Sequence, residues 1–393
     1  MLNSLPTQPE DKILGLMAKY AADPRPNKID LGVGVYKDAS GATPIMSAVK
    51  KAEQLLWEDQ TSKSYTGLGG DPAFADAIVG LVLGDKIARG KVSAVATPGG
   101  TGAVRQAIEL LKLSNPQVTV WVSDPTWPNH ISMLRHLGIE TKMYRYFDSE
   151  TRGVDFEGMM ADLVGIGQND VVLLHGCCHN PTGANLNSSQ WSEVIAHLMG
   201  SGATPFIDIA YQGFGDGLEE DAKAVRSVAR TLPQTIIAAS CSKNFGIYRE
   251  RTGLLMAVGN ESRQSVVQGN LAHLNRQNFS FPPDHGARLV TMILTDEALR
   301  SEWMAELETM RVSMLDIRKV LATSLRDLSG SDRFGFLAEH RGMFSRLGAT
   351  PEQIEALRED HAIYAVGDSR VNIAGLSLKT APLLAEAMIK VGV

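Results

Sequence analysis

The chain has 393 residues, of which 44% are hydrophobic and 21% charged. That composition excludes a mainly disordered chain, and at roughly 150 residues per domain the length suits two or three domains that need no disulfide or metal staples. Lys+Arg of 38 against Asp+Glu of 44 leaves a net charge of −6 with no long basic run, so nucleic acid is excluded as the main partner.

The opening residues lack a basic stretch followed by an apolar one, so no signal peptide is expected. No apolar run is long enough to cross a bilayer, and no membrane partner is expected. Cys177, Cys178 and Cys241 are too few and too irregular for a disulfide framework, which points to the reducing cytoplasm. Gly32-Val33-Gly34 lacks the third glycine of a dinucleotide loop and reads as a tight backbone approach. Short apolar runs at 92–97, 118–123, 171–175, 205–209, 235–240 and 254–258 predict strands buried on both faces. Helical spacing at 102–113, 188–198 and 221–231 predicts helices between them. This alternation predicts an α/β fold with a mostly parallel sheet covered by helices, and ligands just past the carboxyl ends of the strands. Residues 302–325 predict one long helix, and 335–393 a smaller α+β region.

Residues able to carry chemistry follow these runs. Pro98-Gly99-Gly100-Thr101-Gly102 opens a helix, and such a turn presents free N–H groups and partial positive charge to a phosphate. Arg105 stands where the last glycine of G-x-G-x-x-G belongs, so one monophosphate fits better than a dinucleotide. Trp127, between Pro125 and Pro128, suits core packing and a stacking platform equally. His175-Gly176-Cys177-Cys178-His179 suggests zinc, but adjacent side chains diverge in an extended chain and no C-x2-C pair or second cluster is present, so no metal is expected. Asn180-Pro181-Thr182-Gly183 reads as a turn whose Asn180 amide is available to a ligand. Asp208 is a carboxylate in an apolar run, and it either faces a cation such as a protonated pyridine nitrogen or caps a helix. Lys243, in Ser240-Cys241-Ser242-Lys243-Asn244, is either a desolvated amine able to form a Schiff base with an aldehyde or a surface loop lysine. On that fragment alone the surface lysine is the simpler reading.

Taken together, in this order and spacing, these segments resemble the fold-type I, pyridoxal-phosphate-dependent aminotransferases of the aspartate and aromatic group. The resemblance runs from Asp30-Leu31-Gly32-Val33-Gly34-Val35-Tyr36-Lys37-Asp38 to Ser369-Arg370-Val371-Asn372-Ile373-Ala374-Gly375. It implies a large cofactor-binding domain over 44–310, and a small α+β domain, from 1–43 and 311–393, that closes over the substrate. It also implies pyridoxal 5′-phosphate as cofactor, amino acids and 2-oxo acids as substrates, ping-pong transamination, and a homodimer with shared active sites. By the same resemblance Lys243 holds the cofactor and moves the proton, and Asp208 keeps the cofactor ring nitrogen protonated, with His130 and His175 behind it. Asn180 and Tyr211 meet the ring oxygen, and Trp127 stacks on the ring. Gly100, Thr101, Ser240, Ser242 and Arg251 form the phosphate cup, which Tyr65 reaches from the neighbouring subunit. Arg370 clamps the substrate α-carboxylate, and Arg276 of the other subunit receives an acidic side chain. Gly34 contacts the substrate, while Ile13, Leu14 and Val33 match apolar positions that close over it.

Phe281 departs from the pattern. It stands before Pro282-Pro283, where aspartate-type members carry Asn and some aromatic-type members Ser. The stretches 241–253 and 276–286 look most like bacterial aromatic aminotransferases that take both acidic and aromatic amino acids. A strict aspartate aminotransferase is the alternative, and a lyase or decarboxylase on the same fold is a further one.

Overall fold

The computed structural model describes residues 2–8 and 10–393. The chain forms two units, Pro44–Ser313 and a smaller one made of Met1–Thr43 with Met314–Val393. In chain order the strands are β1 (Ile29–Asp30), β2 (Val92–Pro98), β3 (Thr119–Asp124), β4 (Glu140–Arg145), β5 (Asp170–His175) and β6 (Thr204–Ile209). β7 (Thr235–Ser240), β8 (Thr252–Val258), β9 (Phe344–Arg346), β10 (Ile363–Tyr364) and β11 (Arg370–Asn372) complete the set among the described residues.

In the larger unit seven strands form one sheet in the order β2-β8-β7-β6-β5-β3-β4. β8 runs antiparallel to β2 and β7, and every other pairing is parallel. Each apolar run read from the sequence is a strand here, with ends that differ by no more than two residues. β4 was not expected, for a physical reason. It is an edge strand whose side chains are mostly exposed, with only Tyr144 buried, so it shows no apolar run. Val120, Val122, Leu173, Phe206, Ala238 and Leu255 of the sheet pack with Val104, Ala107 and Ile108 of the helix Gly99–Ser114 in one buried cluster. Phe206 is fully buried there, and Phe206→Ala would cost about 3–5 kcal/mol through lost transfer energy and the cavity left behind.

Helix ends follow local chemistry. Ser188–Ser201 begins with a reciprocal Asn187–Gln190 capping box and ends at Gly202 with φ 74°, a left-handed conformation that glycine adopts without a Cβ penalty. The helix Gly99–Ser114 starts earlier than its apolar spacing indicates, because its first turn is glycine-rich and has no apolar face to read.

In the smaller unit β1 pairs in parallel with β10, and β9 pairs antiparallel with β11. Its core gathers Leu31, Leu321, Leu325, Leu337, Leu357, Val371 and Leu384. The fully buried Arg318 donates to the carbonyls of Leu337, Gly342 and Phe344 and to Ser345 Oγ, at 2.8 to 3.1 Å. A buried charge is tolerated only with such partners, and here they fix the chain that leads into β9.

Candidate active site

Parallel pairing puts the carboxyl ends of β5, β6 and β7 at one edge of the sheet. Antiparallel β8 brings its own beginning to that edge. Across this edge His175 registers with Asp208, Asp208 with Ala238, Ser240 with Gly253, and Pro98 with Thr252. The sheet therefore gathers Asn180, Tyr211, Lys243, the start of helix Gly99–Ser114 and Arg251, each in the segment that follows or precedes one of these ends. Trp127 follows β3 at the start of the helix Pro128–His136.

Asp208 lies within β6, which removes the helix-cap reading of that residue. A directed chain of hydrogen bonds ends on it. The backbone N–H of Asn180 donates to Nδ1 of His175 at 3.2 Å, and a backbone N–H can only donate. His175 then carries its proton on Nε2, which lies 3.2 Å from Thr126 Oγ1. Thr126 Oγ1 lies 2.9 Å from His130 Nδ1, and His130 Nε2 lies 3.0 Å from Asp208 Oδ2. Every donor finds an acceptor if Thr126 donates to His130 and His130 donates to a carboxylate, a proton order assigned from the network. Burial alone would raise the Asp208 carboxyl, but the His130 hydrogen bond, with His130, His175 and Lys243 as electrostatic neighbours, outweighs it and holds the carboxyl below its ordinary value. Burial, then neighbouring His130, pushes His175 down to about 3 against the pull of Asp208, so its ring is neutral at physiological pH.

Lys243 follows β7 and is no free surface lysine. Burial lowers its ammonium, Asp208 opposes the fall, and Arg251 adds to it, leaving a pKa of about 8. Its Nζ stands 4.8 Å from the centroid of the buried Tyr211 ring. Asn180 is buried, and its Oδ1 has no hydrogen-bond partner. The Trp127 ring meets His130 edge-on at 5.1 Å between centroids.

Beside the lysine is an anion-sized cup. A Cβ on Gly99 would lie 2.6 Å from Arg251 Nη2, and one on Gly100 would lie 2.8 Å from Ser240 Cβ. Only glycines allow this approach, which sets the helix N-terminus with Gly100 and Thr101 against Ser240 and Arg251. Arg251 Nη1 donates to Ser242 Oγ at 3.3 Å and to the Tyr248 carbonyl at 3.2 Å, and the Ser242 N–H donates to Ser240 Oγ at 3.3 Å.

The other residues singled out from the sequence have contacts of their own. Tyr65 is 83% exposed, and its ring stacks on Phe281. Arg276, in the last turn of the helix Gln264–Asn278, is exposed and donates to Ser280 Oγ. Arg370 and Gly34 belong to the smaller unit. Arg370 is 5% exposed, donates to the Gly32 carbonyl at 3.0 Å, and its guanidinium carbon lies 4.5 Å from the Phe344 ring centroid. A Cβ on Gly34 would lie 2.9 Å from that ring, and one on Gly32 would lie 2.4 Å from Leu16, which is the tight approach that the glycines announce. Asn372 Nδ2 donates to the carbonyls of Val33 and Val35 at 2.7 and 2.8 Å and pins the same loop.

Sequence reasoning gave no role to Thr126 or to Phe344. The i, i+4 spacing of Thr126 and His130 was the signal for the first, and nothing local marks the second. At Cys177-Cys178 the expected divergence of adjacent side chains does not occur. Cys178 has φ 51°, so the chain is not extended there, and the two adjacent sulfurs converge with the Asp221 carboxylate to within 4.8 Å of one another. That carboxylate already accepts the N–H groups of Gly213, Gly215 and Asp216, and burial raises its pKa to about 6, while the hydrogen bond with Cys178, and then burial, push the Cys177 thiol up. The cluster is therefore built as a turn anchor.

Residues 26–388 match the family model for aminotransferase class I and II. The chain is similar to an aromatic-amino-acid aminotransferase of Paracoccus denitrificans, at 60% identity over 100% of each chain. It is 42% identical to an aspartate aminotransferase of Escherichia coli (strain K12), again over 100% of each. A crystal structure of an aromatic-amino-acid aminotransferase from Burkholderia pseudomallei, covalently bound to pyridoxal phosphate, matches with a TM-score of 0.96 at 38% identity, covering 100% of this chain and 99% of that one. On these matches and this architecture, the chain belongs to the class I and II aminotransferase family.

Proposed function

We propose that this chain binds pyridoxal 5′-phosphate and moves an amino group between an acidic or aromatic L-amino acid and a 2-oxo acid. The observation that carries the reading is a half-buried amine of pKa about 8, Lys243, that feels the charge of Asp208, a carboxylate held ionised by a wired histidine. The residues fit the cofactor. The buried Asn180 Oδ1 lacks a partner, and the glycine cradle beside Arg251, Ser240 and Ser242 is closed to any Cβ and suits one phosphate group. When bound, the cofactor supplies an aldehyde that captures the amino group and a protonated ring that draws electrons from the bond to the α-hydrogen.

The chain's own groups do the rest. Asp208 keeps the ring nitrogen protonated, and its orientation is set through His130, Thr126 and His175. Asn180 and Tyr211 would bind the ring oxygen, and Trp127 would pack against the ring. Gly100, Thr101, Ser240, Ser242 and Arg251 hold the phosphate by N–H, hydroxyl and guanidinium donors. Lys243 would hold the cofactor's aldehyde, and its Nζ is the base that would take the α-proton and return it. Arg370 binds the α-carboxylate in a two-bond fork, with Gly34 leaving room beside it, and so fixes which bond at the α-carbon breaks. Arg276 receives an acidic side chain. We further propose a homodimer in which Tyr65 and Arg276 serve the neighbouring site. Three cysteines with no disulfide among them suit the cytoplasm, and no described helix is long and apolar enough to cross a membrane.

Dual substrate use is supported by relatives named for aromatic amino acids and for aspartate, and by Phe281, which places a ring where a polar group would favour acids alone. The test is a half-reaction. Adding phenylalanine or aspartate to the cofactor-loaded protein, with no oxo acid present, should release about one equivalent of the matching 2-oxo acid per site. Release of carbon dioxide or free ammonia instead overturns the proposal.

A further inference from the structure

We infer that Phe281 is a specificity-determining positioning residue, one aromatic plane that holds both Tyr65 and Arg276. It thereby ties the phosphate ligand that one chain lends its neighbour to the receptor for acidic side chains. The inference rests on the functional reading above and deepens it.

The Phe281 and Tyr65 rings lie face to face, with centroids 4.7 Å apart and 15° between planes. On the same ring the guanidinium carbon of Arg276 stands 5.8 Å from the centroid, within the range where the ring quadrupole attracts a cation. Arg276 is also held by Ser280 Oγ, one residue before the ring. Ser280 has φ 68°, a costly conformation for a residue with a Cβ, and it turns the chain so that residues 280 and 281 both face the end of the helix that carries Arg276. A buried amide fixes the frame. The N–H groups of Phe279 and Ser280 both donate to the Asn275 carbonyl, at 3.0 and 2.9 Å. The Asn275 side chain, fully buried, donates to the carbonyls of Leu68 and Ala96 at 2.7 and 3.1 Å. The segment bearing Tyr65 and the turn bearing Phe281 therefore hang on one residue, and the stack is the outer end of a fixed scaffold. Tyr65 is 83% exposed, so this contact selects its ring orientation in a setting where solvent selects none.

Chemistry separates the two consequences. A carboxylate side chain needs the guanidinium in place, whereas an aromatic side chain does not. The phosphate needs Tyr65 whichever substrate is bound. Losing the ring face should thus weaken acidic substrates selectively and the cofactor generally. A stacked pair and a cation–π contact are each worth about two- to tenfold in an equilibrium.

The experiment compares Phe281→Leu and Phe281→Met, which keep apolar bulk without a ring face, with Phe281→Tyr, which keeps the face. At saturating cofactor, the ratio of kcat/KM for aspartate over phenylalanine should fall about two- to tenfold in the Leu and Met variants, mainly through KM for aspartate. Separately, cofactor absorbance should appear in the ultrafiltrate of the diluted holoenzyme a few-fold faster. Phe281→Tyr should bring both readings back toward the unsubstituted protein. Equal loss with both donors, an unmoved rate of cofactor release, or failure of Tyr to rescue overturns the inference. Arg276→Ala is the reference. If it leaves the substrate ratio unmoved, the role given to Arg276 fails and the functional reading is at fault. If it lowers the ratio and the Leu and Met variants do not, only the role of Phe281 is overturned.

Discussion

Lys243 sits between two charges of opposite sign, and its pKa can be moved either way. Asp208→Asn deletes the charge that favours the ammonium, so Lys243 should titrate below its present value of about 8. Arg251→Gln deletes a charge that disfavours it, so Lys243 should titrate higher. Reductive methylation of the cofactor-free protein, followed by mass spectrometry of the peptide carrying Lys243, gives the midpoint in each case. Equal midpoints in all three proteins would refute the coupling. The stability sign follows as well. The folded value of about 8 lies below the ordinary 10.5, so between these pH values the unfolded chain binds more protons. The Lys243 contribution to stability should therefore rise with pH across that window and be smallest below pH 8. Thr126 offers a second test at this scale. Thr126→Val keeps the shape but strips a buried acceptor from His175 and a donor from His130, at a cost of about 1–3 kcal/mol for the groups left unpaired. Thr126→Ser keeps the hydroxyl and should retain most of that stability in a urea titration.

At the scale of elements, the approach of β8 to the helix Gly99–Ser114 is set by glycine. A Cβ on Gly253 would lie 2.4 Å from the Gly99 carbonyl carbon and 2.9 Å from the Ala239 oxygen, both backbone atoms that cannot rotate away. Gly253→Ala should therefore destabilise the fold by about 1–3 kcal/mol and loosen the helix N-terminus, read as a lower denaturant midpoint and faster cofactor loss. Gly80 is the counterpart. It lies in the helix Pro72–Leu83 with nothing within 4 Å of a new Cβ, so Gly80→Ala should stabilise by about 0.5–1 kcal/mol. β5, β6 and β7 are covered on both faces and therefore appear as apolar runs. β4 pairs on one side only and kept polar residues, so its pattern resembled a loop. Asp208 was ambiguous because a carboxylate ending an apolar run looks the same in a strand as at a helix cap, until register places it beside His175. The link through Thr126 joins residues that follow different strands, and no local spacing encodes it beyond the Thr126–His130 step. Cys178 misled because sequence gives no warning of a left-handed residue without glycine. Arg276 and Tyr65 entered through family resemblance, whereas their common contact with Phe281 depends on a fold-borne meeting of distant segments.

For the whole molecule, the larger unit leaves big side chains in solvent, with Trp57 81% and Tyr65 83% exposed. Large exposed rings of this kind suit an interface between copies of the chain, and a two-fold pair would bury each twice. If Tyr65 and Arg276 serve the neighbouring site, a site draws Lys243 from one chain and Arg276 from the other. Lys243→Ala and Arg276→Asp should each be nearly inactive with aspartate. In a mixed dimer, one site receives the intact Lys243 of the Arg276→Asp chain and the intact Arg276 of the Lys243→Ala chain, and is whole. The second site of that dimer receives neither. Random pairing at equal amounts makes about half the dimers mixed, each with one good site of two, so the refolded mixture should recover roughly a quarter of the unsubstituted activity. The number discriminates between models, because a site built within one chain predicts no recovery at all. Hybrid dimers must be demonstrated first, for instance by a charge tag on one variant and native electrophoresis. If they form and the mixture stays as inactive as its parents, Arg276 acts within its own chain and the shared-site proposal is wrong.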